Sequence, residues 1–403
     1  MRPYTTFGTL VVLFSLMAPM MSAQDSSKRV FPGGAGLPFS AAIRTDGLIY
    51  VSGTLGTTAG NTVVSGGIAA QTQQALDNIS ATLKTAGSSL SNAASVMVYL
   101  RSASDFAAMN DVYRKNWPKD PPARTTVVVT APLALPDALI EVSMVAVPTG
   151  GERAVVHPSG WIASPNPYSY GIKAGNTLFM SGLISRNGKD NTAVKGDITA
   201  QTQTVLDNGT AILKAAGMTP ADVVSARVFI ADAGQFQEMN AAYRTYFSKD
   251  PPARATVKAG LTSPDYLVEI TMVAVKSAAR TVITMPNADG SAGTPSPVLS
   301  SAIRVGNRLY VAGTLGTTTG NGNDVKAQTT EALARIGRTL KAAGFDWTNV
   351  VDGIVYLPDM ARFADMNTAY RETFAKDFPA RATVGAGLMG AGGLVEIMFT
   401  ASR

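Results

Sequence analysis

Apolar and polar positions run through the same order three times along this chain. In the first pass a short apolar segment at Lys28-Arg29-Val30 reads as a strand, and a Gly/Pro/Ser-rich loop follows, ending in Pro38-Phe39-Ser40. Ala42-Ile43-Arg44, a turn at Asp46-Gly47 and the apolar stretch 48–52 then carry the pattern of a β-hairpin. Across 69–86, Leu76, Ile79 and Leu83 fall at helical spacing with Gly87 just beyond as a stop, so an amphipathic helix is expected. The stretch 94–100 is apolar without period-two polarity, as in a strand covered on both faces. A second helix presents Phe106, Met109 and Tyr113 on one face, and Pro121-Pro122 ends it, because proline lacks the amide donor and disfavours helix in the residue before it. Two closing strands are expected at 125–130 and 139–147, forming a hairpin that returns Glu141 towards Arg124. In the second of them Ile140, Val142, Met144 and Ala146 alternate with Glu141 and Ser143, so the glutamate leaves the helix-covered face.

The second and third passes keep each feature. Their first helices carry Leu206, Ile212 and Leu213 before Gly217, and Leu333, Ile336 and Leu340 before Gly344; their second helices carry Phe236, Met239, Tyr243 and Phe363, Met366, Tyr370. The motif KDPPAR closes on Arg124 and again on Arg254, and KDFPAR closes on Arg381; a glutamate in an apolar run follows each, at Glu141, Glu269 and Glu396. A period of this size is that of a domain, not of a solenoid repeat. The expected division is a signal peptide at 1–23 and units at 28–148, 152–276 and 279–403. Each unit is expected to be α+β, a mixed sheet with two helices on one face. The uncovered face needs a partner, and three fused copies supply one as a pseudo-threefold ring with the helices outside.

Composition narrows the chemistry. With 46% hydrophobic and 15% charged residues the chain is globular. Its formal charge of +6 is scattered, without clusters or interleaved aromatics, so no nucleic-acid surface is expected. Residues 1–23 begin with Arg2 after Met1, run apolar through 10–21 and end in Met-Ser-Ala, the form of a secretory signal; the apolar stretch is too short to span a bilayer, so a secreted or periplasmic protein without stable membrane insertion is expected. The chain has no cysteine and one histidine, His157, placed in the loop-like connection between units one and two. Thiol catalysis, disulfides, a Ser-His-Asp set and cysteine zinc sites are excluded, and no phosphate loop or dinucleotide fingerprint is present. What remains is the arginine, a planar fork suited to a carboxylate, and the glutamate, a group able to act on water. The carboxylate could belong to a ligand or to an internal Arg-Glu pair within each unit.

The PAR arginine, the asparagine before a tyrosine in the second helix and the Glu-containing closing strand together resemble the reactive intermediate deaminase, or YjgF-like, family over everything after the first 23 residues. The resemblance implies a chorismate-mutase-like fold, a trimer with interfacial clefts, and hydrolysis of 2-imino or enamine acids to 2-keto acids and ammonia without metal or organic cofactor. It assigns the substrate carboxylate to Arg124, Arg254 or Arg381 and the attacking water to Glu141, Glu269 or Glu396. Asn110, Asn240 and Asn367 match the family asparagine, Ser52 and Ser181 its Ser-Gly motif with Ala312 in unit three, and Thr126, Thr256 and Thr383 the position two past the arginine. Tyr168 matches its Pro-Tyr motif, with Phe39 and Val298 read as the other two counterparts. Unit two keeps the fullest set and unit three the thinnest. A monomeric pseudo-trimer acting on a small carboxylate-bearing substrate is therefore expected, with a non-catalytic carboxylate-binding protein as the alternative and the ribonuclease activity attached to some relatives placed last.

Overall fold

The computed structural model describes residues 1, 28–34, 36–374 and 376–403. Apart from residue 1, the segment expected to be a signal peptide lies outside these. Unit one comprises β1 (Arg29–Phe31), β2 (Ala42–Thr45), β3 (Leu48–Leu55), α1 (Gly67–Thr85), β4 (Ala93–Leu100), α2 (Phe106–Asn116), β5 (Ala123–Val128) and β6 (Ile140–Ala146). The β2–β3 turn has positive φ at both Asp46 and Gly47, the type I′ geometry whose twist suits a two-residue hairpin. Unit three repeats every element, and unit two does so with a shorter third strand at Thr177–Met180. Each fold is thus α+β, a mixed sheet with two helices on one face, as expected.

The order across the first sheet is β1-β2-β3-β6-β4-β5, and units two and three match it. This corrects the expected closing hairpin. α2 carries the chain from β4 over to the sheet edge, where β5 pairs parallel to β4, while β6 pairs antiparallel with β4 on its other side. Parallel neighbours need such a crossover, and a hairpin cannot supply it. Arg124 and Glu141 are therefore separated by a whole strand.

Leu76, Ile79 and Leu83 of α1 and Met109 and Tyr113 of α2 pack on Val96, Val98, Ile140, Val142 and Met144, a core belonging to unit one alone. The opposite faces of the three sheets meet each other. Tyr99, Val127, Phe229, Val257, Tyr356 and Val384 join in one buried cluster drawn from all three units. Around the pseudo-threefold axis a cavity of about 80 Å³ is lined by Ser95, Met97, Ser225, Arg227, Asp352 and Ile354, among others. The loops after the arginine strands interlock in rotation: Val128 bridges Gly260, Lys258 pairs with Gly387, and Thr130 donates its N–H to the carbonyl of Gly385.

A basic clasp at the start of each unit closes the ring. Arg153 of unit two donates to the carbonyls of Ala93 and Asp120 in unit one, and Arg280 of unit three to those of Val223 and Asp250 in unit two. Lys28 of unit one completes the circuit on Thr348 and Val350 of unit three. Ala93, Val223 and Val350 each open the same strand of their units, so the rotation is one of a single repeated contact.

Candidate active site

Arg124 is the second residue of β5, directly under α2. Phe106, Met109, Asn110 and Tyr113 lie at i, i+3, i+4 and i+7, one stripe of that helix, and the stripe cradles the guanidinium. Its Cζ lies 4.6 Å from the Tyr113 ring centre and 5.8 Å from that of Phe106. Arg254 repeats the contact with Tyr243 at 4.6 Å and Arg381 with Tyr370 at 4.5 Å. Asn240 and Asn367 accept from Nη2 of Arg254 and Arg381 at 2.6 and 2.7 Å. Asn110 differs, turning its Nδ2 to Oδ1 of Asn166 in unit two at 3.5 Å. All three arginines are buried, which lowers their pKa, to about 10 at Arg381, so that guanidinium remains a cation at neutral pH.

The glutamates do not reach the arginines of their own units; each faces the arginine of the unit before it. Glu269 of unit two accepts from the N–H of Thr126 in unit one at 3.3 Å and lies in the field of Arg124. Glu396 of unit three faces Arg254, and Glu141 of unit one faces Arg381 and the N–H of Thr383. Burial pushes all three carboxyls up to about 8, against the opposing pull of the arginines. Among the described residues no ion pair within 4.0 Å joins any of these arginines to a glutamate. Nε of all three arginines and Oγ1 of Thr126, Thr256 and Thr383 are buried without a hydrogen-bond partner. Buried polar groups are rarely left so. Three composite sites result, each with orphaned donors beside a carboxyl, and none is the internal pair that sequence left open; clefts open at those of Arg124 and Arg381.

The endoribonuclease L-PSP family model matches residues 34–148, 161–276 and 292–403. The chain belongs to this family, three times over. A RutC family protein of Sulfurisphaera tokodaii is 46% identical over 110 residues, 27% of this chain and 88% of the relative. A RutC family protein of Pyrococcus horikoshii is 44% identical over 110 residues, 27% of this chain and 87% of the relative. Among solved structures, a putative endoribonuclease of Thermotoga maritima is 34% identical, covering 31% of this chain and 98% of its own, with a TM-score of 0.30. The YjgF gene product of E. coli is 32% identical, covering 30% and 98%, with a TM-score of 0.29. Each relative corresponds to about one unit, so this member of the L-PSP family is a tandem triplication.

Within this family framework the remaining positions fall unequally. Ser52 and Ser181 point into the unit–unit seam: each accepts the backbone N–H of the preceding arginine, at 2.8 Å from Arg381 and 3.0 Å from Arg124, and donates to the carbonyl of Ser40 or Ser169. Ala312 leaves Arg254 without this contact. The counterpart of Phe39 and Tyr168 in unit three is Leu299, not Val298. Ser300 makes the same bonds to Pro251 and Pro252 that Ser169 makes to Pro121 and Pro122, and this sets the alignment one residue later. The unit three loop is longer, which hid the shift. His157 lies 2.9 Å from the carbonyl of Trp161 in the connection, its ring 5.6 Å from that of Tyr170, and it lines neither the cleft of Arg124 nor that of Arg381.

Sequence reasoning missed the glycines. A β-carbon on Gly53, Gly182 or Gly313 would lie under 2 Å from Oε1 of Glu141, Glu269 or Glu396, so only glycine leaves space for the carboxyl there. Their signal was a glycine at the same place in each repeat, within the third strand of units one and three and just past that of unit two. Arg186 was missed as well. It lines the cleft of Arg124, Thr126, Tyr168 and Glu269, at a position that is Thr57 in unit one and Thr317 in unit three. The cleft of Arg381 and Glu141 is wider, about 340 Å³ against about 40 Å³, and largely apolar, with Leu37, Phe39, Leu55, Leu135 and Phe363 on its walls.

Proposed function

We propose that this protein is an exported hydrolase that converts 2-imino acids, or their enamine tautomers, to 2-keto acids and ammonia in composite clefts. The carrying observation is the pairing, across each unit boundary, of a buried arginine with an unpartnered donor and a buried carboxyl that does not neutralise it. Such a guanidinium suits the carboxylate of a small substrate. The C=N carbon next to that carboxylate then lies towards the glutamate. In the protonated imine, water bonds to this carbon as one of its protons passes to the glutamate carboxylate, and the C=N electron pair settles on nitrogen as a neutral amine. The carboxylic acid returns that proton to the nitrogen, and the C–N bond breaks as the hydroxyl proton goes back to the glutamate. Keto acid and ammonia leave, and the glutamate sheds its proton to solvent. The apolar N-terminal stretch supports export.

The test is ammonia and keto-acid release from imino acids generated in situ by an amino-acid oxidase. Acceleration over spontaneous hydrolysis that falls roughly a hundredfold when Glu141→Gln, Glu269→Gln and Glu396→Gln are combined, within the 10²–10⁴ range of general acid–base catalysis, is the expected outcome. Wild-type release no faster than the uncatalysed reaction would leave carboxylate binding without turnover as the better account. Arg254→Ala is expected to reduce turnover least, because its site has Leu299 and Ala312 where the others have an aromatic ring and a serine.

A further inference from the structure

The first cleft carries two guanidiniums. Arg124 stands at its base, and Arg186 stands on its wall beside Tyr168, extending into a neighbouring hollow walled by Trp161 and Asn187. Arg186 is held in place: its Nε donates to the hydroxyl of Tyr266 at 2.5 Å, its Cζ lies 5.6 Å from that ring, and its carbonyl accepts from Asn208 at 2.7 Å. That anchorage occupies Nε and leaves the Nη fork, the part that grips a carboxylate in a bidentate pair. Among the described residues no carboxylate lies within ion-pair distance of it. The carboxyl present, on Glu269, is one against two cations. Tyr168 lines the cleft with both arginines, its ring centre 5.9 Å from Cζ of Arg124. The matching positions in the other clefts are threonines, and the cleft of Arg381 is walled by apolar side chains.

We infer that the cleft between units one and two is specific for a compact dianionic substrate, a 2-imino dicarboxylic acid, whose α-carboxylate is held by Arg124 and whose distal carboxylate is held by Arg186. The inference rests on the hydrolase reading for the reaction but not for the binding. Arg186 is a specificity residue: it grips the far end of the substrate and takes no part in the chemistry.

The experiment compares the full chain with Arg186→Thr, the residue of the other two units, and Arg186→Leu. Two imino acids are generated in situ, one from glutamate by a glutamate oxidase and one from leucine by a general amino-acid oxidase. Loss of one charge-assisted contact is expected to lower kcat/KM for the glutamate-derived acid roughly ten- to a hundredfold while the leucine-derived acid stays within about twofold. Equal losses on both, or none on the glutamate-derived acid, overturn the inference. If the wild type accelerates neither, the hydrolase reading fails by itself, and calorimetric binding of 2-oxoglutarate and 4-methyl-2-oxopentanoate decides. A preference for the dicarboxylate that vanishes in Arg186→Thr upholds the inference, and no preference overturns it.

Discussion

At the scale of single residues the site depends on burial. A carboxyl taken out of water resists ionising, and at Glu141, Glu269 and Glu396 that effect exceeds the pull of the facing arginine. Two expectations follow from the same shift. In the proposed hydrolysis the glutamate acts as a base in its ionised form, so kcat/KM should climb through about pH 8 and level above it; a flat profile from about pH 6 to 9 would remove the glutamate from that role. For stability the sign is opposite. A carboxyl whose folded pKa exceeds its unfolded value favours folding below the unfolded pKa and loses that contribution as pH rises through the folded one. Denaturant midpoints should therefore fall between about pH 4.5 and about pH 8 from these groups, and Glu→Gln at any of the three should flatten that slope. Gly182→Ala tests the space around the carboxyl: its β-carbon would meet Oε1 of Glu269 at 1.8 Å and Cγ2 of Thr125 at 2.9 Å, and overpacking of this kind costs about 1–3 kcal/mol. A variant as stable and active as wild type would show that the carboxyl has room to move.

At the scale of elements, the KDPPAR motif explains itself only in place. Asp120, Asp250 and Asp377 have positive φ, a conformation that aspartate tolerates better than most residues, and it turns the chain from the second helix into the arginine strand. The Asp120 and Asp250 carbonyls receive the clasps from Arg153 and Arg280. Removing a clasp, as in Arg280→Ala, is expected to cost about 1–3 kcal/mol, read as a lowered denaturant midpoint. The long helices also differ at their starts. Asp197 and Asp324 accept the N–H of Ala200 and Ala327, whereas Gly66 offers unit one no side-chain cap. Asp197→Ala should cost about 1 kcal/mol, and a midpoint unchanged by it would show that packing alone holds that helix end.

For the whole molecule, fusion allows the axis to be asymmetric. Met97, Arg227 and Ile354 occupy one position of the three central strands, and Ser95, Ser225 and Asp352 another. Arg227 and Asp352 stand 4.0 Å apart, an arrangement that a trimer of identical chains cannot build once per ring. Burial raises the Asp352 carboxyl to about 6 despite Arg227, so the pair is only partly compensated. In a double-mutant cycle the losses from Arg227→Met and Asp352→Ser taken singly should sum to more than the loss in the double variant, with a coupling of about 0.5–3 kcal/mol. Strict additivity would make the pair incidental.

The linear order of residues by itself determined the threefold repeat, the type and place of nearly every element and the helix-covered core, and it singled out Arg124, Arg254, Arg381, Glu141, Glu269 and Glu396, on which the proposed function rests. Those features are local: periodicity, turn residues and proline act within a few positions. What the tertiary structure decided was which of these residues meet. The α2 crossover puts β4 between Arg124 and Glu141, and rotation about the axis then brings Glu269 to Arg124 instead. The Leu299 alignment, the space at Gly182 and the second guanidinium of Arg186 likewise arise from contacts more than a strand apart in sequence. A pattern along one chain carries no record of which surface will be turned towards its neighbour, because that choice is made by packing three sheets around a common core.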